Sequence, residues 1–181
     1  MKKFIFIFLL IISISSFASG SLFQVTMDVS GSLDTPTGDT DVDSGLSLTS
    51  EWNIPFDLGG FDLGIGTEYQ LDRDIDTGGE IRYWNTYLVF SKDMINNSFN
   101  KLTPVFKIGR GNPTLSGLPG ISLDSGIFYS IGLKYSISTL AHAEISYSVN
   151  NNEFTGTSTD VDYTRINFTW GTRFDYMKEY Y

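Results

Sequence analysis

The sequence predicts an all-β protein, namely an eight-stranded antiparallel up-and-down transmembrane β-barrel. Apolar and polar residues alternate with a period of two along most of the chain, which is typical of strands with two chemically different faces. Most of these strands run for ten residues or more, as crossing a bilayer requires, whereas strands of soluble proteins average about five to six residues. Aromatic side chains also collect near the strand ends, where membrane barrels carry interfacial girdles.

Eight segments carry this alternation, in the order 22–32, 44–56, 61–72, 81–91, 103–111, 125–136, 141–150 and 162–176. In the first three, one face is apolar and consists of Phe23, Val25, Met27, Val29, Leu46, Leu48, Trp52, Ile54, Phe56, Phe61, Leu63, Ile65, Tyr69 and Leu71. The opposite face consists of Gln24, Thr26, Asp28, Ser30, Ser47, Thr49, Glu51, Asn53, Asp62, Gly64, Gly66, Glu68 and Gln70. The fourth segment differs because aromatic residues stand on both of its faces.

The connections between these segments alternate in length. Residues 57–60 and 137–140 form tight turns, whereas the loops 33–43, 74–80, 112–124 and 151–161 are longer and rich in Asp, Asn, Gly, Thr and Ser. Short turns at one end and long loops at the other are the arrangement of an outer-membrane barrel. The stretch 92–102 departs from this arrangement because it is long for a turn. A soluble, lipocalin-like barrel with its apolar face inside is the alternative.

The N-terminus has the composition of a secretory signal peptide. Two lysines open the chain, a nearly unbroken apolar run covers residues 4–14, and Ser16 and Ala18 offer the small residues that precede a cleavage site. The apolar run is too short for a membrane-spanning helix, which needs about 20 residues. We therefore expect residues 1–18 to be a signal peptide and residues 19–181 to form one barrel domain.

Composition excludes several classes of function. The chain has 181 residues, a net charge of −9, 12 basic residues and no cysteine. A nucleic-acid surface needs clustered Lys and Arg, so no nucleic-acid partner is expected. The absence of cysteine removes disulfides, thiolate zinc sites and thiol catalysis. No cofactor is expected either, because Gly64 and Gly66 lack the third glycine and the helix of a dinucleotide-binding loop, and such glycines in a strand mark bends or crowded positions.

The most specific signal stands at the end of the last segment. Thr169, Gly171, Phe174 and Tyr176 match the polar-x-Gly-x-x-aromatic-x-aromatic pattern of the outer-membrane assembly signal. With the signal peptide and the eight segments, the chain resembles the small OmpA/OmpX-type outer-membrane β-barrels. The resemblance implies a place in the bacterial outer membrane, insertion by the barrel-assembly machinery, contact with outer-membrane lipid and lipopolysaccharide, periplasmic termini and loops at the cell surface. Residues 177–181 follow the signal, which usually ends the protein in this family.

The alternation also predicts a polar network inside the barrel. If the aromatic residues of the assembly signal face lipid, the charged residues that face the lumen are Asp28, Glu51, Asp62, Glu68, Lys107, Lys134, Glu144, Arg165, Arg173 and Asp175. Six acids then meet four bases, so most charges can be paired. An eight-stranded barrel is just wide enough for side chains to fill, and unpaired charges there are costly. We expect a salt-bridged, mostly closed lumen, with a narrow ion pathway through rearranging pairs as the alternative.

Two loop segments place three carboxylates two residues apart, and these residues are Asp39, Asp41, Asp43, Asp72, Asp74 and Asp76. Alternating oxygens suit a hard cation such as Ca²⁺. Glycine stands at the seventh rather than the sixth position, and Ser50 and Tyr83 occupy the twelfth positions, so the pattern excludes an EF-hand. We expect solvated acidic loops and no metal, with a divalent-cation site between the two loops as the alternative.

The chain carries little that suggests an enzyme. Its one histidine, His142, is followed by Ala143 and Glu144, so the His-x-Ser spacing of the lipid A deacylase type is missing. His142 also follows a short turn, and it is expected to lie in the lumen away from the outer leaflet. The sequence therefore predicts a structural or surface-interaction role, either in envelope integrity or in contact between the loops and an unknown surface ligand. A small outer-membrane pore is the alternative.

Overall fold

The computed structural model describes residues 21–54, 59–97, 100–138 and 141–174. These residues form eleven strands, β1 (Ser21–Thr35), β2 (Gly38–Val42), β3 (Gly45–Ile54), β4 (Asp62–Gln70), β5 (Arg73–Asp74), β6 (Glu80–Ser91), β7 (Ile95–Asn97), β8 (Asn100–Ser116), β9 (Gly126–Ser136), β10 (Ala141–Glu153) and β11 (Asp160–Phe174). Within these ranges no helix has the length and apolar character that crossing a membrane would need. The predicted signal peptide, residues 1–18, lies outside the described residues.

Eight long strands, β1, β3, β4, β6, β8, β9, β10 and β11, close into a barrel. Each pairs antiparallel with its neighbour along the chain, and pairing of β1 with β11 joins the first strand to the last. β6 pairs directly with β8 over twelve register positions, from Glu80 with Ser116 to Ser91 with Val105. The predicted fold class, an eight-stranded antiparallel barrel, is confirmed. We call the end where β1 begins and β11 ends the turn end, and the opposite end the loop end.

The outer wall of the barrel is a continuous apolar belt. It includes the exposed side chains of Val25, Met27, Leu46, Ile65, Trp84, Leu88, Phe106, Ile108, Ile127, Tyr129, Ile131, Leu133, Tyr135, Ile145, Tyr147, Ile166, Phe168 and Trp170. Soluble monomers do not expose apolar surface on this scale, because it would drive association. The polar positions of the same strands point inward and are buried. This arrangement contradicts the lipocalin-like alternative, in which the apolar face lies inside.

A β-bulge at Val29 corrects one predicted face. The register of β1 against β11 shifts between Asp28 and Ser30, so one residue of β1 has no partner in the ladder. Because side chains alternate with a period of two, the extra residue exchanges the two faces beyond it. Ser30, predicted on the lumen face, is exposed on the outer wall, while Leu33 turns into the barrel and is buried.

The strands continue into the predicted loops, and the remaining loop residues join in pairs. The amide of Asp43 donates to the carbonyl oxygen of Asp74 at 3.0 Å, and Val42 bridges to Ile75, which joins the first loop to the second. The third and fourth loops meet through the amide of Asp124, which donates to the carbonyl oxygen of Glu153 at 2.8 Å. The loop end is therefore covered by two pairs of hydrogen-bonded loops.

The long turn 92–102 is a small hairpin rather than an irregular loop. β7 pairs with the start of β8, and the carboxylate of Asp93 holds the ammonium of Lys101 at 2.5 Å and the hydroxyl of Thr103 at 2.7 Å. Partial burial alone would raise the pKa of Asp93, but the hydrogen bonds from Lys101 and Thr103 outweigh it and lower this pKa below its usual value. The extra residues of this turn thus form additional strand pairing between β7 and β8.

Candidate functional site

The lower half of the lumen, toward the turn end, is organised around one lysine. The Lys107 ammonium lies 2.9 Å from a carboxylate oxygen of Glu51 and 3.0 Å from one of Glu144. The Tyr87 hydroxyl and the Gln24 amide each donate to Glu51 at 3.1 Å. All five side chains are almost completely buried. We call these residues the Lys107 cluster; it holds two carboxylates against one cation.

A second cluster lies closer to the loop end and is organised around Arg165. Its guanidinium donates to both carboxylate oxygens of Glu68, at 3.1 and 3.2 Å, which is the bidentate geometry of a strong ion pair. Glu68 also accepts from Asn85 at 2.7 Å. Asp28 lies 3.8 Å from Arg165 and is held by Arg73 at 2.8 Å. We call these five residues the Arg165 cluster, in which two carboxylates face two guanidinium groups.

Arg73 is the charged member of this cluster that the sequence analysis missed. It stands between Asp72 and Asp74 in a predicted acidic loop, yet only 2% of its surface is exposed. The inward alternation of β4 ends at Gln70, and the chain then turns Arg73 inward, where its guanidinium also donates to the carbonyl oxygen of Leu71 at 2.6 Å. The sequence analysis placed six acids and four bases in the lumen. This excess of acids indicated that a further basic residue faces the lumen.

The structure brings six of the ten predicted lumen residues into the two clusters, namely Asp28, Glu51, Glu68, Lys107, Glu144 and Arg165. Asp62, predicted to join them, is exposed at the turn end, because the inward positions of β4 reach the mouth of the barrel there. Lys134 and Arg173 point inward but are only half-buried, and neither forms an ion pair with a described residue. Asp175 lies outside the described residues. His142 is buried near the turn end.

A small polar cavity separates the two clusters. Its walls are formed by Thr26, Thr49, Glu68, Tyr87, Lys107, Phe128, Ser130, Ser146, Ser148, Asn167 and Thr169. Hydroxyl and amide groups in the wall bond to one another, for example Thr26 with Thr169 at 2.8 Å and Asn167 with Ser148 at 2.7 Å. The volume of this cavity is about 20 Å³. It suits one or two water molecules and no larger solute.

The loop end of the lumen is closed by apolar side chains, a feature that the sequence analysis did not predict. This apolar plug contains Leu33, Val42, Ile75, Ile81, Tyr83, Val161 and Tyr163, with Leu115, Leu118, Leu123 and Phe154 packed against it. The rings of Tyr83 and Tyr163 stack with centroids 5.3 Å apart. Their hydroxyl groups bond to Asn152 at 2.9 Å and Gln70 at 2.8 Å, so both buried phenols are satisfied.

Gly66 makes room for the Tyr87 ring, and its substitution tests this packing. A Cβ atom on Gly66 would lie 2.7 Å from Cζ and 3.0 Å from the hydroxyl oxygen of Tyr87, which donates to Glu51. We expect Gly66→Val to lower the free energy of unfolding by about 1–3 kcal/mol through overpacking. Urea titration of the refolded protein measures this loss. Ile65→Val, on the lipid-facing side of the same strand, is the control; an equal loss in both variants would contradict the packing argument.

The architecture agrees with solved structures, although no protein-family profile and no curated protein matches the sequence. Neisserial surface protein A is similar at a TM-score of 0.57 and 11% identity, over 85% of this chain and 97% of that one. Ail of Yersinia pestis is similar at 0.53 and 14% identity, over 86% and 99%. OprG of Pseudomonas aeruginosa is similar at 0.51 and 13% identity, over 88% and 98%. The fold is that of the small OmpA/OmpX-type outer-membrane β-barrels.

The predicted assembly signal occupies the end of β11 in this outer-membrane barrel fold. Thr169 faces the polar cavity, and Gly171 is inward and buried where a Cβ atom would meet the imidazole of His142. Phe174 ends the strand at Ser21 of β1, next to the seam that closes the barrel. Tyr176 lies outside the described residues.

The two acidic loop segments are adjacent, but their carboxylates do not gather. Backbone hydrogen bonds join Asp43 to Asp74 and Asp76 to Asp41. Asp39 and Asp41 are nevertheless exposed, and Asp72 pairs with Arg82 at 3.5 Å on the surface. Among the described residues, no three acidic or histidine side chains come close enough together to hold a metal ion. The geometry thus offers no support for the divalent-cation site.

Proposed function

We propose that this chain is an integral protein of the bacterial outer membrane, with its termini in the periplasm and its loop end outside the cell. It acts through its surface, as a structural element of the envelope or by contact of the loops with a surface ligand, rather than as a channel or an enzyme. The apolar outer belt and the outer-membrane barrel fold support the location. The observation that carries the surface role over the channel is the closure of the lumen at three levels: the Lys107 cluster, the Arg165 cluster and the apolar plug.

Opening the lumen to an ion would cost considerable free energy. An ion that entered the lumen would have to displace buried side chains whose charges are already paired, and removing one partner from a buried pair leaves an uncompensated charge. The apolar plug adds a barrier of a different kind, because its side chains pack against one another across the loop end. The polar cavity favours the pore alternative, but its volume suits only one or two water molecules.

We expect the folded protein to show no discrete conductance steps in planar lipid bilayers. The physical reason is that no hydrated ion fits past the two clusters without breaking an ion pair. Single-channel recording in KCl of increasing concentration is the measurement. Steps whose size rises with salt concentration would instead support the pore.

Absence of current is informative only for a folded barrel, so the same sample is first run in SDS gels with and without boiling. A closed membrane barrel resists SDS until it is heated, and we expect the unboiled band to run faster. Equal mobility of the two bands, together with soluble protein in the periplasm, would overturn the proposed location.

The loop end suggests which surface ligands are disfavoured. Ail has been solved in complex with the heparin analogue sucrose octasulfate. The loop end of this chain has only two basic residues that are not buried, Arg82 and Arg110. It has twelve acidic residues, Asp34, Asp39, Asp41, Asp43, Asp72, Asp74, Asp76, Glu80, Asp124, Glu153, Asp160 and Asp162. A sulfated polyanion would be repelled by this surface. We therefore propose that a loop ligand of this protein is neutral or cationic.

A further inference from the structure

The third loop, residues 112–124, carries far less charge than the other loops. Asp124 is its one acidic residue and it has no basic residue, whereas the loop 33–43 contains four acidic residues. Ile121 is 45% exposed and Pro119 is also exposed, while Leu118 and Leu123 are only partly buried against the apolar plug. This loop therefore presents apolar rather than acidic side chains at the loop end.

On one side, the third loop contacts the acidic second loop, residues 74–80. Glu80 pairs with Ser116 where β6 meets β8. Gly79 lies directly against Leu118, because a Cβ atom on Gly79 would be 2.7 Å from Cγ of Leu118. The exposed acidic residues of the second loop are Asp74, Asp76 and Glu80. Carboxylates of the second loop therefore lie beside the apolar side chains of the third.

On the other side, the third loop is hydrogen-bonded to the acidic fourth loop, residues 151–161. Leu123 forms a β-bridge with Phe154, and the amide of Thr155 donates to the carbonyl oxygen of Ser122 at 2.9 Å. Phe154 is itself partly buried against the apolar plug and extends the apolar surface. The exposed acidic residues on this side are Asp124, Glu153 and Asp160. We call Leu118, Pro119, Ile121, Leu123 and Phe154 the apolar strip.

The apolar strip thus lies between two groups of three carboxylates. None of these six carboxylates forms an ion pair with a residue in the described ranges, so their charges are not neutralised there. Exposed charges of one sign attract an oppositely charged partner from a distance, and salt screens the attraction. The same charges repel an anionic headgroup, which argues against lipid as the occupant of the strip.

A cationic amphipathic helix has the complementary pattern. Such a helix carries a narrow apolar stripe with polar residues on either side of it, and the long stems of Lys and Arg let their charges reach past an apolar contact. With its stripe on Ile121 and Pro119, the helix would bury apolar surface on both partners, and its basic side chains would meet the carboxylates of the second and fourth loops. A polycation without an apolar stripe would leave Ile121 exposed.

We propose that the apolar strip and the six carboxylates beside it bind a cationic amphipathic segment of a polypeptide partner. The apolar side chains of the partner contact Ile121 and Pro119, and its Lys and Arg side chains lie on the acidic loops at either side. This inference rests on the proposed function, in which the loops contact a surface ligand. It narrows that ligand from a neutral or cationic one to one that is both cationic and amphipathic.

Surface plasmon resonance over the refolded protein in phosphatidylcholine nanodiscs tests this inference, with empty nanodiscs as the reference. The probe is a helical peptide of about 18 residues, or five turns, with leucines on one face and lysines on the remainder. A second peptide of the same composition has its leucines distributed around the helix, so it has equal charge but no apolar face. We expect the first peptide to bind about fivefold more tightly than the second, and both affinities to fall as salt is added.

Substitutions separate the apolar contact from the charges. We expect Ile121→Ser to weaken binding of the amphipathic peptide about fivefold and to leave the second peptide unaffected. Ile137→Ser is the matched control, because Ile137 is also 45% exposed but lies at the turn end, and it should change neither affinity. Asp76→Asn combined with Asp160→Asn removes one charge on each side of the strip and should weaken both peptides about threefold at low salt.

Equal affinity of the two peptides, or equal effects of Ile121→Ser and Ile137→Ser, would overturn the inference, because charge alone would then account for binding. Failure of the amphipathic peptide to bind would overturn it as well. Neither result bears on where the loops lie. Protease treatment of intact cells checks that point separately; loops that are protected in intact cells and cleaved only after lysis would defeat the proposed function itself.

Discussion

Lys107→Met is expected to lower the free energy of unfolding by about 3–5 kcal/mol, the usual cost of removing one partner from a buried charge group. Lys107 is the cation between Glu51 and Glu144, and all three side chains are almost completely buried. Methionine has a similar length and leaves no large void, so the loss reports charge rather than packing. Without the ammonium, two carboxylates remain in a lumen with no cation at contact distance.

Urea titration of the protein refolded into lipid vesicles measures this effect. Lys134→Met is the matched control, because Lys134 is also an inward lysine but is half-buried and forms no ion pair with a described residue. We expect it to cost less than about 1 kcal/mol. Adding Glu51→Gln and Glu144→Gln to Lys107→Met should recover most of the loss, because the uncompensated charges are then gone. A triple variant no more stable than Lys107→Met would show that the lysine stabilises the barrel by packing alone.

The charged members of the Lys107 cluster could be predicted from the sequence because the face of a strand residue depends on local alternation. Glu51, Lys107 and Glu144 stand on β3, β8 and β10, and each strand shows by itself which side is polar. The contacts among them could not be predicted, because they depend on the stagger of strands around a closed barrel. That stagger is a property of the whole sheet rather than of any one segment.

The loop end shows where local alternation fails. The bulge at Val29 exchanges the two faces of β1 beyond it. A change of alternation after Gln70 turns Arg73 inward. In each case one extra residue is enough to change which side chains face the lumen. β6 carried aromatics on both faces, so its alternation alone did not place Tyr83 in the lumen. The apolar plug was not predicted for this reason. Leu33, Val42 and Ile75 fall in predicted loops, and Tyr83 falls in the segment whose faces were ambiguous.

Arg165→Met is the second substitution with a large expected effect, a loss of about 3–5 kcal/mol in the free energy of unfolding. Arg165 has no exposed side-chain surface and binds Glu68 through two hydrogen bonds at 3.1 and 3.2 Å. Once it is removed, Glu68 keeps only the amide of Asn85, which carries no charge. Asp28, by contrast, still has Arg73 at 2.8 Å.

This difference between the two carboxylates makes the prediction specific. Glu68→Gln should restore most of the stability of Arg165→Met, whereas Asp28→Asn should restore none, because it leaves Arg73 without its anion. Arg173→Met is the control on the same strand; Arg173 is half-buried, forms no ion pair with a described residue, and should cost less than about 1 kcal/mol. Rescue by Asp28→Asn equal to that by Glu68→Gln would mean that the Arg165 cluster shares its charge evenly and that the bidentate pair is not its centre. Rescue by Glu68→Gln alone would show that the Arg165–Glu68 pair accounts for most of the stability that the Arg165 cluster contributes.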